Sequence, residues 1–251
     1  MRSTNRPYLY PVDHLRAFAA LLVVLYHSTD VISVARRHTT GFDPSTDWPY
    51  SRNPLKTIVF EGHTGVALFM VLSGFIFTIG TLDREISYGR FIVNRLLRIY
   101  PLYLVVLFIA VAVHPRISFG LVAQVILPFS NFGGPIAFGG AWGAMFWAVA
   151  IEFQFYLLFP LLLLLLNKFG PSALLKIIAS MIVLRVMAAF ADSTIDINNL
   201  AYFSIVGRLD QFLLGMLIAW VYIRRPSWLP QFSCFGFSTN FMGMHIRLAG
   251  G

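Results

Sequence analysis

The sequence predicts an all-α fold, a polytopic transmembrane helical bundle of about six spans with one possible re-entrant segment. Three observations carry this. Hydrophobic residues make up 57% of the chain and charged residues only 12%, about half the ~25% charge of soluble domains. Mean hydropathy is +0.72. Apolar runs close to the ~20 residues needed to cross a bilayer recur along the chain, with arginines clustered between them.

The runs fall at residues 15–34, 59–82, 99–114, 142–166, 173–191 and 201–223. The third is short and ends at His114-Pro115. Residues 117–129 are apolar but too short for a crossing. The stretch 130–140 behind them is dense in glycine and proline, which break helices. A re-entrant or interfacial segment followed by a loop fits best.

Charge placement orients the bundle. With a cytoplasmic N-terminus, Arg2, Arg6, Arg84, Arg90, Arg95, Arg98, Lys168, Lys176, Arg224 and Arg225 all fall inside, and Asp192 and Asp196 fall outside. Arg36, Arg37, Arg52 and Lys56 of the first outer loop run against the trend, partly offset by Asp30, Asp43 and Asp47. The net charge of +8 therefore reads as membrane topology, with the lipid bilayer as partner and no nucleic acid. Cys234 is the only cysteine, which excludes an intramolecular disulfide and a cysteine metal cluster. The six histidines lack ligand spacing, so no metal site is expected. The first apolar run is too long for the core of a cleavable signal peptide.

Ionisable groups inside apolar segments are costly and mark candidate sites. Arg16 and His27 are eleven residues apart in the first run. At about 100° per residue they share one helix face, ~16 Å apart along the axis. Arg16 then lies near the membrane edge and His27 in the interior. A neutral imidazole there suits general-base work. Glu152 lies at a similar expected depth in the fourth run, and a carboxylate beside His27 would orient the ring. Arg95 and Arg98, at i and i+3, open the third run with two guanidinium groups facing one way, a pattern suited to phosphate. Arg208 and Asp210 sit in the sixth run, where they balance each other or another helix. Ser73 has no visible base beside it, so close packing is the expectation for the Ser73-Gly74 step.

The order of these motifs resembles the acyltransferase 3 family of bacterial membrane proteins. Asp13-His-Leu-Arg16 through His27 is similar to its first landmark, and Gly65–Phe75, Arg95–Pro101, Trp147–Pro160 and Gly207–Gly215 match four more in order. The resemblance implies transfer of an acyl group, usually acetyl, from acyl-CoA to a hydroxyl of a carbohydrate such as a cell-surface glycan or lipopolysaccharide. It also implies location in the bacterial inner membrane, with acyl-CoA as co-substrate and no bound cofactor. On this reading His27 and Glu152 are catalytic. Arg16, Arg95, Arg98, Asp13, Arg208 and Asp210 bind donor or substrate.

The resemblance also implies about ten helices, against about six here. Residues 1–225 read as an incomplete acyltransferase 3-like domain. Residues 226–251 carry neither a clean span nor a family landmark, and read as a shifted frame or truncated product. Two other readings stand beside the enzyme: a transporter with His27, Glu152 and Arg208 as a proton or anion relay, and an inactive family remnant.

Overall fold

The computed structural model describes residues 9–37, 52–84, 86–113, 118–127, 131, 140–191 and 197–225. Every regular element among them is a helix: α1 (Tyr10–Arg37), α2 (Pro54–Phe60), α3 (Thr64–Thr81), α4 (Tyr88–Val113), α5 (Phe119–Ile126), α6 (Gly140–Phe169), α7 (Pro171–Ala191), α8 (Ile197–Phe203) and α9 (Ile205–Arg224). Five are long and apolar enough to cross a membrane: α3, α4, α6 over Phe146–Phe169, α7 and α9. The first expected span is helical as α1, 28 residues long. The expectations on His114-Pro115, on 132–139, on Asp192 and Asp196 and on the 226–251 tail fall outside the described residues.

Three boundaries differ from the sequence reading, each for a local reason. The second run is divided by a turn at Glu61-Gly62-His63, where Gly62 presses against the Leu22 carbonyl and Tyr26 of α1. The third run begins at Tyr88, so Arg90, Arg95 and Arg98 lie within α4 and not in a loop before it. The sixth run breaks at Ser204, whose hydroxyl accepts a hydrogen bond from the Gly207 N–H and so caps α9. A Cβ on Gly207 would lie 2.1 Å from the Ala201 carbonyl oxygen, so the fold-back of α8 onto α9 requires a hydrogen there.

The centre of the bundle is the α3–α9 pair. A Cβ on Gly74 would lie 2.1 Å from the Phe212 carbonyl oxygen, and one on Gly215 would lie 2.0 Å from that of Val71. The two backbones thus meet directly, as small residues allow. α1 packs on the start of α3 with opposite direction: Ala19 lies under Gly65, and Leu22 and Tyr26 lie under Gly62. α6 packs against α4, α7 and α9. Its Phe155 stacks on Phe212 at 3.9 Å, and Phe77, Phe91 and Phe159 extend the same aromatic core. α4 and α7 turn Leu102, Phe108, Met187 and Phe190 outward. In water that surface would be costly, and in a bilayer it faces lipid.

α5 has eight residues and is too short to cross. Ser118 caps it, and the hydroxyls of Tyr103 and Tyr100 on α4 donate to the carbonyls of Val125 and Ile126 at its end, at 2.8 and 2.7 Å. The Tyr103 bond is buried. Tyr103→Phe leaves that interaction unmade and is expected to cost about 1 kcal/mol, read as a lowered Tm in detergent.

Candidate active site

The antiparallel order gives the bundle two ends. At one, α3 and α9 begin, Tyr26 and His27 near the middle of α1 pack beside them, and Trp147 of α6 lies close by. At the other, α3 and α9 finish and α4 begins. There Arg224 of α9 pairs with Asp83 at 2.5 Å, and Arg84, Arg90, Lys168 and Arg225 lie along the same end. The structure gathers polar groups at two depths.

The first group lies where α3 begins. The Tyr26 ring meets His27 at 5.3 Å and His63 at 5.7 Å. His63 in turn meets Tyr202 of α8 at 5.9 Å. Glu61 Oε2 is 3.8 Å from His63 Nδ1. Burial pushes the His63 imidazole below its ordinary pKa, Glu61 and the Phe60 carbonyl pull it back up, and Arg208 lowers it further. His63 stands in the turn before α3, outside the span itself. Arg208 is buried at 7% exposure. Its Nε–H donates to the Tyr202 carbonyl at 3.0 Å, and its guanidinium lies 4.2 Å from the Tyr202 ring centre and 5.6 Å from that of Trp147. A backbone acceptor and two aromatic faces hold this cation in place.

The second group lies deeper. Ser73 is ten residues beyond His63 along α3, ~15 Å by helical rise. Its hydroxyl donates to Glu152 Oε1 at 3.3 Å, and the Tyr156 hydroxyl donates to the same oxygen. Arg95 sits over the Phe77 and Phe91 rings at 4.7 and 5.5 Å and interacts electrostatically with Tyr156 and Glu152. Its buried Nε has no hydrogen-bond partner among the described residues.

Several expectations are thereby corrected. Glu152 faces Ser73 and Tyr156 in place of His27: it is not level with His27 but lies with Ser73, ~15 Å further along α3 than His63 by helical rise, and α3 stands between α1 and α6. Ser73, expected to be packing alone, has a carboxylate beside it. Arg95 and Arg98 do not act as a matched pair: Arg95 turns into the core and Arg98 is exposed. Asp210 pairs with Arg185 of α7 at 2.7 Å, leaving Arg208 to its aromatic contacts. Arg16 lies 3.9 Å from Asp13. One turn before Ala19, it is level with the second turn of α3 and not at the basic end with Arg84, Arg90 and Arg224. His27 and Arg16 do occupy one continuous helix. His63, Glu61, Tyr156, Tyr202 and Arg185 were missed as site residues. His63 falls inside the expected run 59–82, so the same rule that marks ionisable groups in apolar segments was the available signal for it. Among the described residues no three His, Cys, Asp or Glu side chains gather to hold a metal ion.

The sequence profile of an acyltransferase domain, acyltransferase 3, matches residues 9–242. The chain belongs to the acyltransferase 3 family. Curated relatives include the O-acetyltransferase OatA of Staphylococcus aureus, 27% identical over 244 residues, covering 86% of this chain and 35% of the relative. The peptidoglycan O-acetyltransferase OatA of Listeria monocytogenes is 27% identical over 201 residues, 69% of this chain and 27% of the relative. An uncharacterized protein of Haemophilus influenzae is 29% identical over 179 residues, 61% of this chain and 72% of the relative. The chain thus spans about a third of the length of the OatA relatives. No solved structure matches.

Proposed function

We propose that this chain is a membrane-embedded O-acyltransferase that moves an acetyl group from acetyl-CoA to a hydroxyl of a cell-surface glycan. The observation that carries the reading is the join between family membership and the first polar group: a histidine-bearing helix that meets His63 through Tyr26, with His63 against Tyr202 and Tyr202 under Arg208 at one end of the bundle. A peptidoglycan-type glycan is the first acceptor to test, since one relative is named for it.

The residues divide the work by position. Arg90, exposed at the basic end, and Arg98, exposed about two turns further along α4, meet the coenzyme A phosphates. The thioester arm passes the Ser73–Glu152–Tyr156 group, which offers hydrogen bonds part-way through the bundle. His27 receives the acyl carbon or deprotonates the acceptor. Arg208 supplies fixed positive charge for the tetrahedral oxyanion at the same end of the bundle. Asp13 and Arg16 set the polar face of α1, and Asp210 fixes α9 to α7 through Arg185. The chain resides in the bacterial inner membrane with its basic end toward the cytoplasm, where acetyl-CoA is made.

The test is label transfer from radiolabelled acetyl-CoA in membranes carrying the chain. Wild type is expected to label glycan, and His27→Ala to lose at least ~100-fold, the usual scale for removing a general acid–base group. Labelling that persists in His27→Ala would remove His27 from the chemistry.

A further inference from the structure

Two imidazoles flank one tyrosine ring in this bundle, and the proposed reaction gives a task to only one of them. His27, next to Tyr26 on α1, and His63, in the turn before α3, both lie against the Tyr26 ring, at 5.3 and 5.7 Å between ring centres. His63 has the neighbours of a working base. The Glu61 carboxylate stands 3.8 Å from Nδ1, an arrangement that favours the imidazolium formed when the ring takes a proton. Burial lowers the proton affinity of the His63 ring, and the nearby charge of Arg208, held over Tyr202, lowers it further. The carboxylate expected to serve His27 is instead committed to Ser73 and Tyr156, ~15 Å further along α3 by helical rise.

We propose that His63 is a second catalytic histidine, which accepts the proton of the glycan hydroxyl after His27 has taken the acyl group. This rests on the acyltransferase reading above. In the first step a His27 ring nitrogen attacks the thioester carbonyl and the carbon–sulfur bond breaks. The proton on the other ring nitrogen passes to the departing thiolate, leaving acyl-imidazole and free coenzyme A thiol. The remaining ring nitrogen of a neutral acyl-imidazole is only weakly basic, so acylated His27 is a poor base for the acceptor hydroxyl. In the second step the acceptor oxygen attacks the acyl carbon and its proton goes to His63. The carbon–nitrogen bond breaks, and the leaving His27 imidazolate takes the proton back from His63. An ester has formed and both rings end neutral.

The two steps separate in experiment. Membrane vesicles carrying the full chain are mixed with radiolabelled acetyl-CoA. Free thiol is read over the first turnover, and label in the glycan fraction is read over minutes, both corrected by His27→Ala vesicles. His63→Gln is expected to keep first-turnover thiol release within about twofold of wild type while glycan labelling falls ~100-fold, the scale of a lost general base. In His63→Gly, added imidazole is expected to restore part of the labelling. Unchanged labelling in His63→Gln overturns the proposal. So does equal loss of both readouts in a chain that still elutes as a folded species, with no imidazole rescue, because that marks a structural role. If wild type neither releases thiol nor labels glycan, the acyltransferase reading fails and takes this proposal with it.

Discussion

Gly215→Ala separates α3 from α9 and lowers the yield of folded chain sharply. The added Cβ would stand 2.0 Å from the Val71 carbonyl oxygen and 2.8 Å from the Phe75 nitrogen, both backbone atoms. A flexible side chain could move away from such a clash, but a helix backbone moves only as a body. The α3–α9 contact is the closest in the bundle and positions both polar groups: α3 carries Ser73 and follows His63, and α9 carries Arg208. Ordinary overpacking costs about 1–3 kcal/mol, and a backbone collision on two atoms should exceed that range. Gly80→Ala is the matched control. A Cβ there meets nothing within 4 Å, and alanine favours a helix over glycine by about 1 kcal/mol. Thermal unfolding in detergent should therefore show Gly80→Ala at or above wild type and Gly215→Ala far below it. Equal Tm values for the two variants would mean that α3 and α9 do not meet as described.

Glu152→Leu is expected to cost both stability and activity, and Glu152→Gln far less stability. Glu152 accepts hydrogen bonds from Ser73 and Tyr156, and its charge partly balances that of Arg95, half-buried over two phenylalanines. Leucine strands both hydroxyls and leaves the Arg95 charge unbalanced. Removing one member of a fully buried charged pair costs about 3–5 kcal/mol. Arg95 is only half-buried and is not in direct ion-pair contact with Glu152, so ~2 kcal/mol is the better expectation here. Glutamine keeps an acceptor for Ser73 and Tyr156 and loses only the charge. Unfolding midpoints of the two variants read the stability difference, and glycan labelling reads the activity. If Glu152→Leu is as stable as wild type, the carboxylate does not hold this group together.

Much of the architecture was legible along the chain. Runs of apolar residues fix where helices lie, because an unpaired backbone group in hydrocarbon is too costly for anything but a helix. The five described crossings and the short α5 follow from that rule. So does the adjacency of Asp13 with Arg16 and of His27 with Tyr26, since each pair lies within one helix. Breaks inside apolar runs were harder to read. Gly62 and Ser204 end helices through contacts with α1 and with the α9 backbone, and run length carries no mark of either.

The sequence by itself determined a helical membrane bundle, its landmarks and the side chains available for chemistry. Tertiary structure alone decided which of them meet. Depth counted from assumed helix ends made Glu152 and His27 look level, but the turn at Gly62 sets Tyr26 beside His63 while Glu152 meets Ser73, ten residues further along α3. Neighbourhood depends on which helix lies between, and α3 stands between α1 and α6. That placement gives Glu152 to Ser73 and Tyr156, and Asp210 to Arg185. It also gives His27 a second imidazole, His63, across the Tyr26 ring. Contacts within a helix repeat with a known period, whereas contacts between helices depend on packing, which at α3 and α9 turns on the missing Cβ atoms of Gly74 and Gly215.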